Sequence, residues 1–152
     1  MILRVIAVGK LRPAYRDAAD DYLKRLARSA TVSEIQVKEA SRAPTDAAQR
    51  KEEAGRLRAK VEAGTIVVAL DREGTYLTSE ALAQQVQRWR ETARPLAFLL
   101  GGSNGLDEDL LQGAGFRWSL GPLTLPHELA RVVVMEQLYR AFTILRGEPY
   151  HK

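Results

Sequence analysis

Residues 96–105 read Leu-Ala-Phe-Leu-Leu-Gly-Gly-Ser-Asn-Gly, an unbroken apolar run that ends in a glycine-rich turn. A short apolar run without polar alternation predicts a strand buried on both faces, as in the interior of a parallel sheet covered by helices. Residues 66–70, Ile-Val-Val-Ala-Leu, have the same character. The two segments together predict an α/β fold with a mostly parallel sheet.

The rest of the chain alternates between strand and helix patterns. The strand candidates are residues 2–8, 32–37, 65–70, 96–100 and 116–120. The helix candidates are residues 15–26, 45–63 with Gly64 as a left-handed stop, 79–94, 106–112 and 126–146. This order predicts a mostly parallel sheet of five strands covered by helices. The last helix is apolar on almost every face, so we expect it to lie centrally or to build an interface.

Composition limits the classes of protein that this chain can belong to. Its 152 residues, 45% of them hydrophobic, predict one domain spanning residues 1–152. The absence of cysteine excludes disulfides, thiolate nucleophiles and Cys-ligated zinc. His127 and His151 are far apart in sequence and lack carboxylates at metal-ligand spacing, so we expect no metal site. No apolar stretch approaches the roughly 18 residues of a membrane span, so we expect a cytoplasmic protein without a membrane partner.

The charge is unevenly distributed. The net charge is +4, and residues 1–50 hold 10 basic and 6 acidic side chains, so the whole excess lies in that third of the chain. This asymmetry favours an anionic partner. So small an excess is also common in proteins that never bind nucleic acid.

Three loops follow the ends of apolar strands. They are residues 71–75, 101–105 and 121–126, and open α/β sheets bind ligands at this edge. The glycines at 101 and 102 permit close backbone approach to a flat ligand, but the loop matches neither GxGxxG nor GxxxxGK[ST]. The leucines of residues 120–125 suggest a pocket wall, although Pro126 also suits a plain helix start.

Residues 101–105 also match the letters of the GxSxG nucleophile motif. A serine hydrolase would use Ser103 as nucleophile, with His127 or His151 and Asp109 as partners. We keep this activity as an alternative.

The chain ends in Gly-Glu-Pro-Tyr-His-Lys after the last helix. A disordered tail is the simplest interpretation. If the tail is ordered, Tyr150 could stack on an unpaired base, while His151 and Arg140 could hydrogen-bond or neutralise a nucleic-acid group. These residue types favour RNA over a small metabolite.

Several motifs together carry a resemblance that spans essentially the whole chain. They are Gly9-Lys10, Tyr22–Leu26, Val68–Asp71, Phe98–Gly102, Thr124–Arg131, Glu136–Ala141 and Pro149–Lys152. With these motifs the chain resembles the 23S rRNA pseudouridine N3-methyltransferases of the SPOUT superfamily. The glycine loop departs from that family at Ser103-Asn104, so the resemblance assigns no role to those two side chains.

The resemblance implies a Rossmann-like, mostly parallel sheet of five to six strands with a C-terminal trefoil knot, whose loops hold S-adenosyl-L-methionine (SAM). The corresponding positions are Leu70, Gly101, Gly102, Leu120, Gly121, Pro122, Leu123, Thr124 and Leu125. It also implies a homodimer in which Arg140, Tyr150 and His151 act on RNA bound at the partner's knot. The implied substrate is a stem-loop of 23S rRNA in the assembled ribosome, with no DNA partner. A ribosome-binding factor that has lost its chemistry remains a further alternative.

Overall fold

The computed structural model describes residues 1–152 as alternating strands and helices. The strands are β1 (Ile2–Val8), β2 (Thr31–Val37), β3 (Ile66–Tyr76), β4 (Leu96–Leu100) and β5 (Phe116–Ser119). The helices are α1 (Pro13–Leu26), α2 (Asp46–Arg58), α3 (Ser79–Glu91), α4 (Glu108–Gly113) and α5 (His127–Leu145). The predicted α/β fold is confirmed, with five strands.

The five strands form one sheet in the order β2-β1-β4-β3-β5. Every neighbouring pair is parallel, and Phe98 of β4 lies opposite Val5 of β1 and Val68 of β3. Because all strands run the same way, their carboxyl ends meet at one edge of the sheet.

Helices cover both faces of this sheet. Leu96, Phe98 and Leu100 of β4 pack in the core that contains α1, α3 and α5. Ala97 and Leu99 of the same strand pack in the core that contains α2 and α4. Burial on both faces is the reason why β4 is apolar at every position.

Helix α5 lies centrally, between α1 and α3. Val134, Met135 and Leu138 are buried within the single chain. Its apolar sequence is therefore explained by packing in one chain, and it needs no second chain to cover it. None of the helices has both the length and the apolar character needed to cross a membrane.

Helix α3 ends at Glu91, three residues before the predicted end, and two other predicted boundaries are wrong by more. Helix α2 ends at Arg58, because Lys60 and Val61 bond to carbonyls three residues back and tighten the chain into turns. Gly64, with φ +82°, follows those turns and does not cap the helix. Strand β3 continues through the predicted loop to Tyr76, with a register shift between Leu70 and Thr75.

A buried arginine joins α5 to the carboxyl end of β1. Arg131 is 1% exposed, and its Nη2 donates to the carbonyl oxygens of Val8 and Gly9, each at 3.0 Å. Its Nη1 lies 3.1 Å from Oε2 of Glu34, which also pairs with Arg16. Burial lowers the pKa of Arg131, and the hydrogen bond to Glu34 opposes that shift. This network holds α5 in place under the strand ends.

We predict that Arg131→Met destabilises the fold by about 3 kcal/mol, because it leaves the Glu34 carboxylate and two carbonyls buried with fewer partners. Urea denaturation followed by circular dichroism measures this loss. The matched control is Arg88→Met on the exposed face of α3, which should change stability by less than about 0.5 kcal/mol. Equal effects of the two substitutions would contradict the role given to Arg131.

Candidate functional site

The ends of β3, β4 and β5 open into a shared cleft. Of the nine residues predicted to bind cofactor, eight line it: Leu70, Gly101, Gly102, Leu120, Gly121, Leu123, Thr124 and Leu125. Pro122 is outside, and it lines a neighbouring depression with Tyr76 and Glu108. Three loops that are distant in sequence therefore form one site, as the parallel topology requires.

The glycine turn brings two backbone segments into contact. A Cβ on Gly101 would lie 2.5 Å from the carbonyl carbon and oxygen of Gly105, so only glycine fits there. The Gly105 N–H donates to the Gly102 carbonyl oxygen at 3.1 Å and closes the turn. Because Gly101 and Gly102 have no side chains, a flat ligand can approach the backbone of the turn.

Polar contacts fix the two other loops. Arg117 on β5 pairs with Asp71 at 2.7 Å. The buried Ser119 hydroxyl donates to the Arg72 carbonyl at 3.1 Å and accepts the Gly121 N–H at 3.1 Å. The bulged part of β3 and the loop after β5 are therefore bonded to each other within one chain.

The cleft is mostly apolar. Sequence reasoning missed Leu100, Trp118 and Ala130, which line it beside the predicted leucines. Leu123 is 77% exposed on the rim of the cleft. The volume of the cleft is about 180 Å³. Pockets that bind small molecules usually have a volume of at least roughly 300 Å³. One chain therefore encloses only part of the space that a larger ligand fills.

The C-terminal tail is ordered and brings Arg140, Tyr150 and His151 together. Nη1 of Arg140 lies 3.0 Å from Nδ1 of His151, and its guanidinium carbon lies 4.7 Å from the centre of the Tyr150 ring. Glu136 Oε1 accepts from Arg140 Nε at 2.9 Å and from the Tyr150 hydroxyl at 3.1 Å. The interpretation of the C-terminal tail as disordered is therefore wrong.

These contacts shift the pKa values of their partners. Arginine can only donate, so the His151 tautomer that satisfies both contacts has Nδ1 as the acceptor and Nε2 as the donor to Glu80. The hydrogen bond from His151 lowers the pKa of Glu80, and the one to Glu136 raises the pKa of Arg140. Burial raises the pKa of Tyr150 well above its usual value, so its phenol stays protonated at neutral pH.

Sequence reasoning missed the two carboxylates that organise this tail. Glu136 precedes Arg140 by four residues on α5, a spacing that favours an ion pair on one helix face and could have revealed it. Glu80 comes from α3, and no local pattern links it to His151. None of Arg140, Tyr150 and His151 lines the cleft, so a single chain does not unite them with it.

The serine hydrolase alternative lacks its geometry. Ser103 is exposed in the turn, and α4 begins only at Glu108, so no strand-to-helix elbow presents its hydroxyl. His127 lines the cleft, His151 bonds to Arg140 and Glu80, and neither contacts Ser103. No cluster of three or more His, Cys, Asp or Glu side chains could hold a metal ion.

The chain is similar to known methyltransferases along its whole length. The family described as Predicted SPOUT methyltransferase matches residues 1–151. A ribosomal RNA large subunit methyltransferase H of Anaeromyxobacter dehalogenans is 47% identical over 153 residues, covering 100% of both chains. The protein of the same name from Nitratidesulfovibrio vulgaris is 44% identical and covers 98% of this chain and 97% of its own length.

A solved structure shares the fold. The probable methylase family protein from Haemophilus influenzae has a TM-score of 0.57 at 14% identity, over 99% of this chain and 70% of its own. The parallel sheet and the family match fit the knotted fold that the resemblance implies.

We predict that Gly101→Ala destabilises the protein by about 1–3 kcal/mol, because the new Cβ forces the Gly105 backbone away. Thermal denaturation measures the change. In the control, Gly55→Ala, the methyl group meets nothing within 4 Å on exposed α2, and the change should stabilise by about 0.5–1 kcal/mol. A Gly101→Ala protein as stable as the wild type would contradict the tight turn.

Proposed function

Because this chain belongs to the SPOUT methyltransferase family, we propose that its strand-end cleft binds SAM and that it methylates large-subunit ribosomal RNA. The acceptor is N3 of a pseudouridine in a 23S rRNA stem-loop, and the assembled ribosome in the cytoplasm presents it. The observation that carries the proposal is the convergence of three loops on one mostly apolar cleft with a bare glycine wall.

The residues of the cleft fit SAM. Leucines 120, 123 and 125 offer apolar surface to the adenine, and the backbone of the Gly101-Gly102 turn can approach its polar edge. The carboxylate of Asp71 is paired with Arg117, so it is not free to bind the ligand. Bound SAM supplies an electrophilic methyl group on a sulfonium. The loops orient this group and exclude water, which favours in-line transfer.

The tail supplies polar groups for the RNA base. Pseudouridine N3 carries an imide proton that must leave, and positive charge beside it stabilises the anion. Arg140 provides that charge and is held in place by Glu136, while the ring of Tyr150 offers a stacking face. His151 completes the group, and its contacts with Arg140 and Glu80 fix the orientation of its ring.

The separation of cleft and tail supports a homodimer with sites completed in trans. In one chain the three tail residues lie outside the cleft, and the cleft is smaller than a typical ligand pocket. A partner that places its tail over this cleft would unite the groups and cover the exposed Leu123. A two-fold interface would create two equivalent sites in this way.

Exposed basic residues beside the cleft suit the RNA backbone. Lys10 and Lys38 follow the adjacent ends of β1 and β2, where Gly9 N–H donates to the Val37 carbonyl at 2.9 Å. These two lysines and the exposed Arg42 form no ion pair, whereas Arg12 and Arg16 do. Contacts with phosphate position a nucleic acid without reading its sequence.

We predict that the protein transfers labelled methyl from SAM to ribosomes that lack the modification, and that mapping places the label on a pseudouridine N3. Intact 70S particles should be better substrates than free 50S subunits or naked 23S rRNA, because the small basic surface needs the ribosome for docking. Ribosomes that already carry the modification are the control. Label at another base, or equal transfer to naked rRNA, would contradict the proposed acceptor.

If each site combines the cleft of one chain with the tail of its partner, two inactive variants should restore activity when they form a heterodimer. Gly101→Val disables the cleft and Arg140→Ala disables the tail, so each homodimer should be inactive. A heterodimer of the two, purified through different tags, keeps one intact cleft facing one intact tail and should show about half of the wild-type activity. A doubly tagged wild-type dimer is the control. An inactive but folded heterodimer would show that each site lies within one chain.

A further inference from the structure

Glu53 is a buried carboxylate without a cationic partner. It lies on α2 behind the glycine turn and is 1% exposed. Its Oε2 accepts the Ala40 backbone N–H and Nε2 of Gln49, each at 3.0 Å. Glu53 forms no ion pair. Keeping such a group in the interior costs stability unless its oxygens are hydrogen-bonded.

The second oxygen of this carboxylate faces the glycine turn. Oε1 of Glu53 is buried and has no hydrogen-bond partner. It lies 3.8 Å from the position that a Cβ on Gly102 would occupy, with Val8 as the other neighbour. An unsatisfied buried acceptor is rare in folded proteins and requires an explanation. The backbone of Gly102 lies on that side.

Two further side chains link Glu53 to the tip of the turn. Gln49 lies one helical turn before Glu53 on α2, and its Oε1 accepts Nδ2 of Asn104 at 2.9 Å. Asn104 is one of the two central residues of the turn closed by Gly102 and Gly105. A continuous chain of hydrogen bonds therefore runs from the buried carboxylate to the loop that walls the cleft.

We propose that Glu53 is a positioning residue for methyl-donor binding. Through Gln49 and Asn104 it holds the 102–105 turn against α2, and its free Oε1 accepts a backbone N–H of Gly102 or Ser103 when the cleft is filled. The inference rests on the proposed function, because it assumes that the cleft binds SAM. It also gives Asn104 a role and leaves Ser103 without one.

The test is the affinity for SAM, measured by isothermal titration calorimetry on the intact protein. Glu53→Gln keeps the side-chain shape and an oxygen for Ala40 and Gln49, but it replaces the free acceptor with an N–H donor. SAM binding should weaken about tenfold, which corresponds to about 1.4 kcal/mol. The control is Glu52→Gln on the same helix, an exposed residue paired with Arg56, which should bind SAM as the wild type does.

A second variant separates positioning from a general loss of folding. Asn104→Ala removes only the half-exposed end of the chain of hydrogen bonds and should also raise the dissociation constant for SAM. The effects of Glu53→Gln and Asn104→Ala should be less than additive when combined, because both act on one turn. In methyl transfer, KM for SAM should rise while KM for the ribosome and kcat at saturating SAM stay the same.

Unchanged SAM affinity in both folded variants would overturn this inference and leave the proposed function standing. A loss of kcat with unchanged KM for SAM would also overturn it, because that result indicates a structural defect or a role in catalysis. A wild-type protein that binds no SAM would overturn the proposed function together with this inference.

Discussion

The parallel pairing of β4 with both β1 and β3 is the constraint on which the other features depend. It places β4 in the middle of the sheet, and burial on both faces demands apolar side chains at all five positions. It also directs the ends of four neighbouring strands to one edge. The glycine turn after β4 therefore lies beside the loops of β3 and β5 on one side and the basic end of β1 on the other.

A buried polar side chain stabilises each segment at that edge from the interior of the protein. Arg131 fixes the end of β1, Ser119 bonds the bulge of β3 to the loop after β5, and the Glu53 chain of hydrogen bonds reaches the glycine turn. All three are buried polar groups, which are costly to desolvate and are kept only where hydrogen bonds compensate. A rigid frame of this kind suits methyl transfer, because in-line transfer needs accurate alignment of the methyl donor and the acceptor.

Charge is divided between the two halves of the proposed site. The cleft is apolar and its acidic group is neutralised by Arg117, whereas the tail concentrates Arg140, Glu136, Glu80 and His151. Assembly from two chains would bring the polar tail to the acceptor base only when the dimer forms.

Much of this fold was predictable, because long-range order follows from local patterns here. The apolar runs in the sequence predicted the five strands. A parallel sheet places the carboxyl ends of its strands at one edge, so the site could be predicted there without knowledge of any contact. The end of α2 and the extension of β3 were missed, since weak turns and a strand bulge depend on tertiary contacts. Glu53, Glu80 and Asn104 were missed because each acts through a partner distant in sequence, and no periodicity reports such a pairing. The resemblance supplied SAM, the knot and the roles of the tail, none of which periodicity could give.

A crystal structure of the protein with SAM would show whether SAM occupies the cleft formed by β3, β4 and β5. We expect SAM against the backbone of Gly101 and Gly102, with its adenine among the leucines of residues 120–125 and its methyl group facing the tail of a partner chain. SAM bound at another surface, or a cleft filled by the protein's own tail, would contradict this expectation.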